Sequence, residues 1–300
     1  MRLGIIGGGR AAWAFGSAWR QAGWPISGIA LRPESGSRLP HLLDAKVASA
    51  EELASDADVL LVAVTDRAIP ALAASIVGSG AVPFHPSGAV ASDVFSGRGF
   101  SLHPLKALPP VGEPSDLAGT LLVFEGPSEC RPVAREIASA VRARFAEIDP
   151  RSKPLYHAAA VFGSNYVAAM LDVAHELMTR AGLAAPEVRA DLARLAQSAI
   201  ENWTSSDDAG RFTGPAARGD REIIERHIEA LAPQPEIAAL YRELAARITS
   251  AIDRPSERRR GVPAASSAHD FAALGTTSEK DDQSDHKNRA KSLERKDSVS

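Results

Sequence analysis

The 300-residue sequence is poor in cysteine and lacks long apolar runs, and each absence excludes a class of protein. Cys130 is the single cysteine, which excludes an intramolecular disulfide and a cysteine-based metal cluster and favours a reducing compartment. No apolar run reaches the roughly 18 residues that a membrane span requires. The N-terminus also shows no secretory leader pattern. We therefore expect a cytoplasmic protein without a membrane partner.

Excess positive charge is also missing. The formal net charge is −3, so no overall positive field would recruit nucleic acid. No spacing of histidine, cysteine, aspartate and glutamate indicates a metal site. In contrast, a hydrophobic content of 45% is sufficient for a large core, and the length suggests about two domains.

The first twelve residues carry the most informative pattern. A short apolar run at residues 3–6 meets three glycines, and a helix-forming stretch follows. Gly7, Gly9 and Ala12 fill the small positions of the dinucleotide fingerprint G-x-G-x-x-G/A. The first permits a tight turn, the second lets a pyrophosphate approach the backbone, and the third lets the helix pack against the sheet. The predicted cofactor-binding residues of this loop are Gly7, Gly9, Arg10, Ala11 and Ala12.

Strand-like and helix-like segments alternate over residues 1–150, which predicts an α/β dinucleotide-binding domain with a doubly wound Rossmann-type sheet. Ligands of such sheets bind at the carboxyl ends of the strands. The predicted strands are Arg2–Ile6, Ile26–Leu31, Ala45–Val47, Val59–Val64, Val82–His85, Gly99–His103, Thr120–Phe124 and Arg144–Ile148. The predicted helices are Ala11–Ala22, Ala50–Ala54, Ile69–Val77, Ala89–Phe95 and Pro127–Val141.

Residues 151–253 contain no strand-like segment and are predicted to form an all-helical substrate and dimerisation domain. Long helices are expected over Pro154–Gly182 and from Pro186 to about Trp203, because proline suits a first helical turn. The first is so apolar that it favours cover by a bundle or by a homodimer. Shorter helices are predicted near Asp220–Leu231 and Pro235–Ile252. Residues 254–300 are highly charged and poor in large apolar groups, so we expect a disordered tail.

Arg32 stands directly after the second predicted strand, where an NAD-selective site usually offers an acidic residue to the ribose. A guanidinium with the nearby hydroxyls of Ser35 and Ser37 suits the 2′-phosphate of NADP, although Glu34 opposes it. We therefore predict NADP(H) as the cofactor. Thr65 follows the strand Val59–Val64 and is predicted to contact the nicotinamide ribose.

Polar residues follow two neighbouring strands at their carboxyl ends. Ser87 lies in His85-Pro86-Ser87-Gly88 and is predicted to bind substrate. His103 lies in the next such turn and is a candidate acid or base for a carbonyl or imine. The alternative, in which these histidines only satisfy a turn, stays equally open.

The helical half adds candidates of its own. His157 and Ser164 are seven residues apart, so they share a face of the predicted long helix, with Asn165 beside them. His157 and Asn165 are candidate catalytic residues and Ser164 a candidate substrate contact, with plain helix packing as the alternative. Thr213 and Arg218 are predicted to hold an anionic substrate.

As a set, these motifs resemble a family of Rossmann-like oxidoreductases whose C-terminal helical domain has no known function. That family is similar to pyrroline-5-carboxylate reductase, 6-phosphogluconate dehydrogenase and the β-hydroxyacid dehydrogenases, and its N-terminal half to deazaflavin-dependent NADP oxidoreductases. The resemblance covers about residues 1–250 and implies an NADP(H) site, a helical dimerisation domain and an active site between the domains. The residues that carry it are 5–12, 85–89, 102–105, 157–166 and 213–220.

One departure from these relatives concerns the proton-transfer residue. β-Hydroxyacid dehydrogenases carry a lysine four residues before an asparagine on this helix, whereas Val161 precedes Asn165 here. The segment Val161–Tyr166 looks more like the serine- and glycine-rich helix of pyrroline-5-carboxylate reductase. The turn His103-Pro104-Leu105 is similar over a short stretch to a turn of prephenate dehydrogenases.

Together the motifs predict an NADP(H)-dependent oxidoreductase. It would move a hydride between the nicotinamide and a small, anionic carbonyl, imine or hydroxyl compound. Because the lysine is missing, a non-catalytic module that senses NADP(H) and uses its helical half for partners is the alternative.

Overall fold

A computed structural model describes residues 1–76, 78, 80–205 and 211–252. The chain divides into two compact units, Met1–Ala196 and Gln197–Ser300, the second described only over the ranges just given. The predicted domain boundary near residue 150 stays a prediction. The predicted tail, residues 254–300, lies outside the described residues.

A seven-stranded sheet forms the centre of the first unit, in the order β2-β1-β3-β4-β5-β6-β7. Strands β1 to β5 run parallel, β6 pairs antiparallel with β5, and β7 runs parallel to β6. The predicted α/β Rossmann-type class is confirmed, with one antiparallel pairing in an otherwise parallel sheet. The strands are β1 (Leu3–Ile6), β2 (Ile26–Ala30), β3 (Val59–Val62), β4 (Val82–His85), β5 (Phe100–Pro104), β6 (Leu121–Glu125) and β7 (Arg144–Glu147).

Helices cover both faces of this sheet, which explains why β1 and β3 are buried at every position. On one face, α1 inserts Ala12, Phe15 and Trp19 at helical spacing into a core that also contains Phe84 and Phe100. The helices of the sheet region are α1 (Arg10–Gln21), α2 (Leu39–Leu42), α3 (Ala50–Asp56), α4 (Ile69–Ile76) and α5 (Arg131–Ala140). Those that follow are α6 (Lys153–Phe162), α7 (Asn165–Arg180), α8 (Val188–Ser205), α9 (Pro215–Arg218), α10 (Arg221–Ala230) and α11 (Pro235–Ile252).

The predicted helix from Pro154 to Gly182 is wrong in one respect, because it is broken into α6 and α7. Gly163 ends α6, and Ser164 leaves the helical conformation with φ −134° and ψ −78°. The hydroxyl of Ser164 donates to the carbonyl of Ala160 at 2.7 Å, so a side chain competes with the backbone for this carbonyl. His157 and Ser164 therefore do not share one helix face.

Two shorter elements also differ from prediction. Ala45–Val47 makes only a single bridge, Ile29 to Val47, because the chain turns at Asp44 (φ 47°) and already enters α3 after Ser49. The predicted helix Ala89–Phe95 is reduced to a 3-10 turn at Ser92–Phe95.

In the second unit, described over 197–205 and 211–252, the segments are helical. His227 on α10 and Tyr241 on α11 are joined by a hydrogen bond of 2.7 Å between Nδ1 and the hydroxyl. Among the described residues, no helix combines the length and apolar character needed to cross a bilayer.

Candidate functional site

A cleft of about 1090 Å³ opens where β1, β2 and β3 end. The glycine loop forms one part of its lining, and the segments after β2 and β3 form the rest. Of the predicted cofactor-binding residues, the ones that line this cleft are Gly7, Gly9, Arg10, Ala11, Arg32 and Thr65. Ala12 is fully buried beneath them, as its predicted packing role requires.

The two fingerprint glycines meet different surroundings. Gly7 has φ 116°, and a Cβ there would lie 2.1 Å from the carbonyl oxygen of Ala63, so the turn requires glycine. A Cβ on Gly9 would meet nothing within 4 Å, although Gly9 lines the cleft. The space left by Gly9, directly before the N-terminus of α1, fits a pyrophosphate that approaches the backbone.

Positive charge dominates the cleft. The ionisable side chains in its lining are Arg10, Arg32 and Arg67, and no aspartate or glutamate among the described residues accompanies them there. Ser37 donates from its hydroxyl to the carbonyl of Gly8 at 3.1 Å, which ties the loop after β2 to the glycine loop. This donor set fits the phosphates of a dinucleotide, including a 2′-phosphate beside Arg32.

A second polar region lies at the ends of β4 and β5, where α6 packs on the sheet. The Tyr156 hydroxyl and Nδ1 of His103 are 2.6 Å apart. The rings of His103 and His157 lie edge to face with centroids 6.1 Å apart. A Cβ on Gly88 would be 2.4 Å from Nδ1 of His157 and 3.1 Å from Nε2 of His103, so both rings converge on this glycine.

A buried ion pair anchors α6 beneath these rings. Nζ of Lys153 donates to Glu125 at 3.0 Å and to the hydroxyl of Ser101 at 2.5 Å, and both charged side chains are at most 3% exposed. Ser92 donates its hydroxyl and its amide to the same carboxylate, at 2.6 and 3.0 Å. The Ser101 hydroxyl in turn donates to the carbonyl of Ser87 at 3.1 Å, which fixes the turn before Gly88.

Burial shifts the pKa of several groups here. It lowers the pKa values of His85 and His103 to about 4, with the charge of Lys153 acting in the same direction. It also lowers the pKa of Lys153, against the opposing effect of Glu125, and raises the pKa of Tyr156 to about 12. Both histidines are therefore neutral and Tyr156 is protonated at pH 7.

The two regions are electrostatic neighbours. Asp66 directly follows Thr65 of the cleft, and its carboxylate favours the charged forms of His85, His103 and Lys153. The sheet order places β4 between β3 and β5, and because the three strands are parallel their carboxyl ends lie at the same edge of the sheet. Within the described part of the chain, no group of three or more potential ligands could hold a metal ion.

The remaining predicted site residues lie elsewhere or already have partners. The hydroxyl of Ser87 accepts the amides of Ala89 and Val90 at 3.1 and 3.0 Å. Ser164 and Asn165 contact each other in the exposed break between α6 and α7. In the second unit, Thr213 is exposed, and Arg218 donates to Asp220 at 2.9 Å. Their functional roles stay predictions.

Sequence reasoning missed three residues of the polar region, namely Glu125, Lys153 and Tyr156. A signal was present for the two on α6, since Lys153, Tyr156 and His157 stand at positions i, i+3 and i+4 and so share one helix face. Glu125 gave no such signal, because its partner Lys153 lies 28 residues away in the sequence. The contact depends on the pairing of Glu125 with Ser101 across β5 and β6, which presents both side chains to Lys153.

Comparisons with known proteins agree with this geometry. Residues 2–82 match the family described as NADP oxidoreductase coenzyme F420-dependent, and residues 120–248 match a domain of unknown function, DUF2520. No curated protein sequence matches the chain significantly.

Solved structures share the fold. A Thermotoga maritima protein is 24% identical, with 86% of this chain and 99% of that chain covered and a TM-score of 0.68. The NADP-bound pyrroline carboxylate reductase of Plasmodium falciparum is 14% identical (84% and 98% covered, TM-score 0.54). A reductive aminase of Aspergillus terreus, in complex with NADPH and ethyl levulinate, is 17% identical (84% and 98% covered, TM-score 0.59).

These matches assign the two parts of the chain separately. The N-terminal match covers the glycine loop, Arg32 and Thr65, which are the residues that form the cationic cleft. The C-terminal match begins just before β6 and includes Lys153, Tyr156 and His157. Residues 2–82 are therefore similar to an NADP oxidoreductase domain, and residues 120–248 are similar to a DUF2520 domain.

Proposed function

We propose that the protein transfers a hydride from NADPH to a small carbonyl or imine compound that carries a negative charge, or catalyses the reverse reaction. The observation that carries this proposal is the position of a cationic dinucleotide cleft next to two histidines that converge on Gly88. NADPH supplies the hydride when bound. The protein would supply binding, orientation and a proton.

Each part of the site has a role in this proposal. The glycine loop and the start of α1 bind the pyrophosphate, and Arg32 binds the 2′-phosphate. Thr65 contacts the nicotinamide ribose. His103 or His157 gives a proton to the substrate oxygen or nitrogen. The lowered pKa of His103 keeps that ring neutral. A neutral His103 that gives its proton to the substrate must receive another proton from a hydrogen-bonded neighbour.

A substrate panel tests the proposal. NADPH oxidation is followed by absorbance with small keto acids, with cyclic imines that carry a carboxylate, and with their uncharged analogues. We expect turnover of at least one charged compound, and a decrease of about 10²–10⁴-fold in His103→Asn or His157→Asn. His41→Asn, at an exposed position, is the control.

Tight NADPH binding without turnover of any compound would contradict the catalytic proposal. It would favour the alternative, a non-catalytic NADP(H) sensor. Normal turnover in both histidine variants would leave the reaction in place but remove these residues from it.

We also propose a homodimer through α6, α7 and α8. None of the sixteen residues of α7 is buried, although the helix is rich in apolar side chains. Large apolar groups are exposed along this region, with Phe162 at 68% and Leu195 at 64%. Phe162→Glu with Leu195→Glu should give a monomer in sedimentation analysis, whereas Val47→Glu, equally exposed but outside this region, should not. A monomeric unmodified protein would contradict the proposal.

A further inference from the structure

His103 uses its two ring nitrogens differently. Nδ1 is 2.6 Å from the Tyr156 hydroxyl, and the two rings lie edge to face with centroids 5.6 Å apart. Nε2 is directed toward Gly88, where it lies 3.1 Å from the position that a Cβ would take. On the basis of the proposed function, we infer that Tyr156 is a positioning residue that holds His103 in the tautomer with its proton on Nε2, and that resupplies this proton during the reaction.

The charge states of Tyr156 and His103 allow two directions for their hydrogen bond, from the hydroxyl to Nδ1 or from Nδ1–H to the hydroxyl oxygen. A neutral imidazole has one N–H donor and one acceptor nitrogen. Tyr156 keeps its proton because burial raises its pKa to about 12, and His103 stays neutral because its pKa is lowered to about 4. The ionisable groups that act on the ring of His103 are His157 and Lys153 from α6 and Asp66 after β3. In the inferred arrangement the hydroxyl donates to Nδ1, which leaves the proton of His103 on Nε2.

Nε2 of His103 is surrounded by the backbone of Gly88 and by a second imidazole. Gly88 contributes no side chain, and the turn that carries it is fixed by Ser101 through the carbonyl of Ser87. Nδ1 of His157 is directed toward the same glycine and is buried without a hydrogen-bond partner. Nε2 of His103 thus lies where two imidazoles pack against the backbone of Gly88.

The proton balance of the step involves His103, Tyr156 and solvent. As the hydride reaches the substrate carbon, the Nε2–H bond of His103 breaks and a new bond forms from this proton to the substrate oxygen or nitrogen. At the same time the Tyr156 O–H bond breaks and an Nδ1–H bond forms. His103 is neutral before and after the step but ends with its proton on Nδ1; this proton then returns to the Tyr156 oxygen, and Nε2 takes up a proton from solvent, which restores the starting state.

The tautomer can be measured without any substrate. Long-range ¹H–¹⁵N NMR of the imidazoles should show His103 with its proton on Nε2 between about pH 6 and 9, and Tyr156→Phe should give a mixture of tautomers. Tyr166→Phe is the matched control, because Tyr166 is 47% exposed on α7 and contacts the ring of Phe162 instead. Melting temperature and NADPH affinity should be unchanged in both variants.

A proton on Nδ1 of His103 in the unmodified protein would overturn the inference, and this result is available even if Tyr156→Phe does not fold. An unchanged His103 spectrum in a folded Tyr156→Phe variant would do so as well. Once a substrate is known, Tyr156→Phe should lower kcat by about 10- to 100-fold with KM nearly constant. The expected tautomers without turnover of any substrate would support the positioning role and contradict the proposed function.

Discussion

At the scale of single residues, the polar region depends on histidines that burial keeps neutral. His85 is completely buried and accepts the amide of Ser87 at Nδ1, at 3.3 Å, while its Nε2 lies 3.4 Å from the carbonyl of Ala91. These backbone contacts give His85 a structural role in the turn. His103 instead contacts a tyrosine side chain and directs its second nitrogen toward Gly88. The two strand-end histidines, equivalent in the sequence, therefore differ in their partners.

The two lowered histidine pKa values predict a loss of stability in mild acid. Above pH 6.5 both imidazoles are neutral in the folded and the unfolded chain, so the full stability is present. As the pH falls from 6.5 toward 4, these histidines bind protons in the unfolded chain but stay neutral in the folded protein. The free energy of unfolding therefore decreases by at most about 3 kcal/mol per histidine. Urea unfolding between pH 7.5 and 4.5 measures this decrease.

His103→Gln should reduce the pH-dependent decrease by about half. His41→Gln should leave it unchanged, since His41 is exposed. An equal decrease in all three proteins would show that the lowered pKa of His103 does not govern the stability in this range.

At the scale of secondary-structure elements, the position of α6 decides the geometry of the site. Lys153 is the first residue of this helix, and its ion pair with Glu125 joins the helix to β6. One turn further along, Tyr156 and His157 come from the same helix face. A buried charge without its partner is strongly unfavourable, so this ion pair fixes where α6 starts.

Removing one member of this pair should destabilise the protein more than removing an exposed pair. Lys153→Met leaves the buried carboxylate of Glu125 without its counter-ion and should lower the free energy of unfolding by about 3–5 kcal/mol. Arg131→Met is the matched control, because the Arg131–Glu147 pair is more than a third exposed and should contribute less than about 1 kcal/mol. Urea unfolding at pH 7 compares them.

The double variant Lys153→Met with Glu125→Met should recover much of the loss, since no buried charge remains. If Lys153→Met were as mild as Arg131→Met, the proposed anchoring of α6 would be wrong.

A substitution in the glycine loop before α1 should weaken cofactor binding and leave the stability of the fold unchanged. Gly9→Ala places a methyl group in the open cleft and should weaken NADPH binding at least about tenfold. The melting temperature should hardly change, because Gly9 has φ −91°, which alanine adopts freely. Gly80→Ala, also without a neighbour within 4 Å but outside the cleft lining, is the control. Equal NADPH affinity in both variants would contradict the assignment of the cleft.

At the scale of the whole molecule, the sequence predicted the sheet well and the helical half less well. Strands such as β3 are short apolar runs buried on both faces, so their limits are visible in the sequence. The break between α6 and α7 was hidden, because Gly163 and Ser164 interrupt a stretch that is otherwise helical in pattern. The conformation of these two residues, rather than apolar periodicity, decides where the helix ends.

In the candidate site, too, one part could be predicted from the sequence and another part could not. The fingerprint loop, Arg32 and Thr65 could be predicted because they follow one another at strand ends of a known topology. The partners of Lys153 could not be predicted, since they depend on the antiparallel register of β5 and β6 and on where α6 docks. Local patterns thus reveal the cofactor cleft, while tertiary pairing creates the polar region next to it.

Binding of NADP(H) in the cationic cleft through Arg32 is tested directly by comparative titration. NADPH and NADH are titrated into the unmodified protein, Arg32→Asp, and Arg98→Asp as a control outside the cleft lining. Because charge-assisted hydrogen bonds contribute roughly 1.5–3 kcal/mol, the unmodified protein and the control should favour NADPH by about tenfold or more. Arg32→Asp should abolish or reverse this preference. Equal affinities of the unmodified protein for both cofactors would contradict the account.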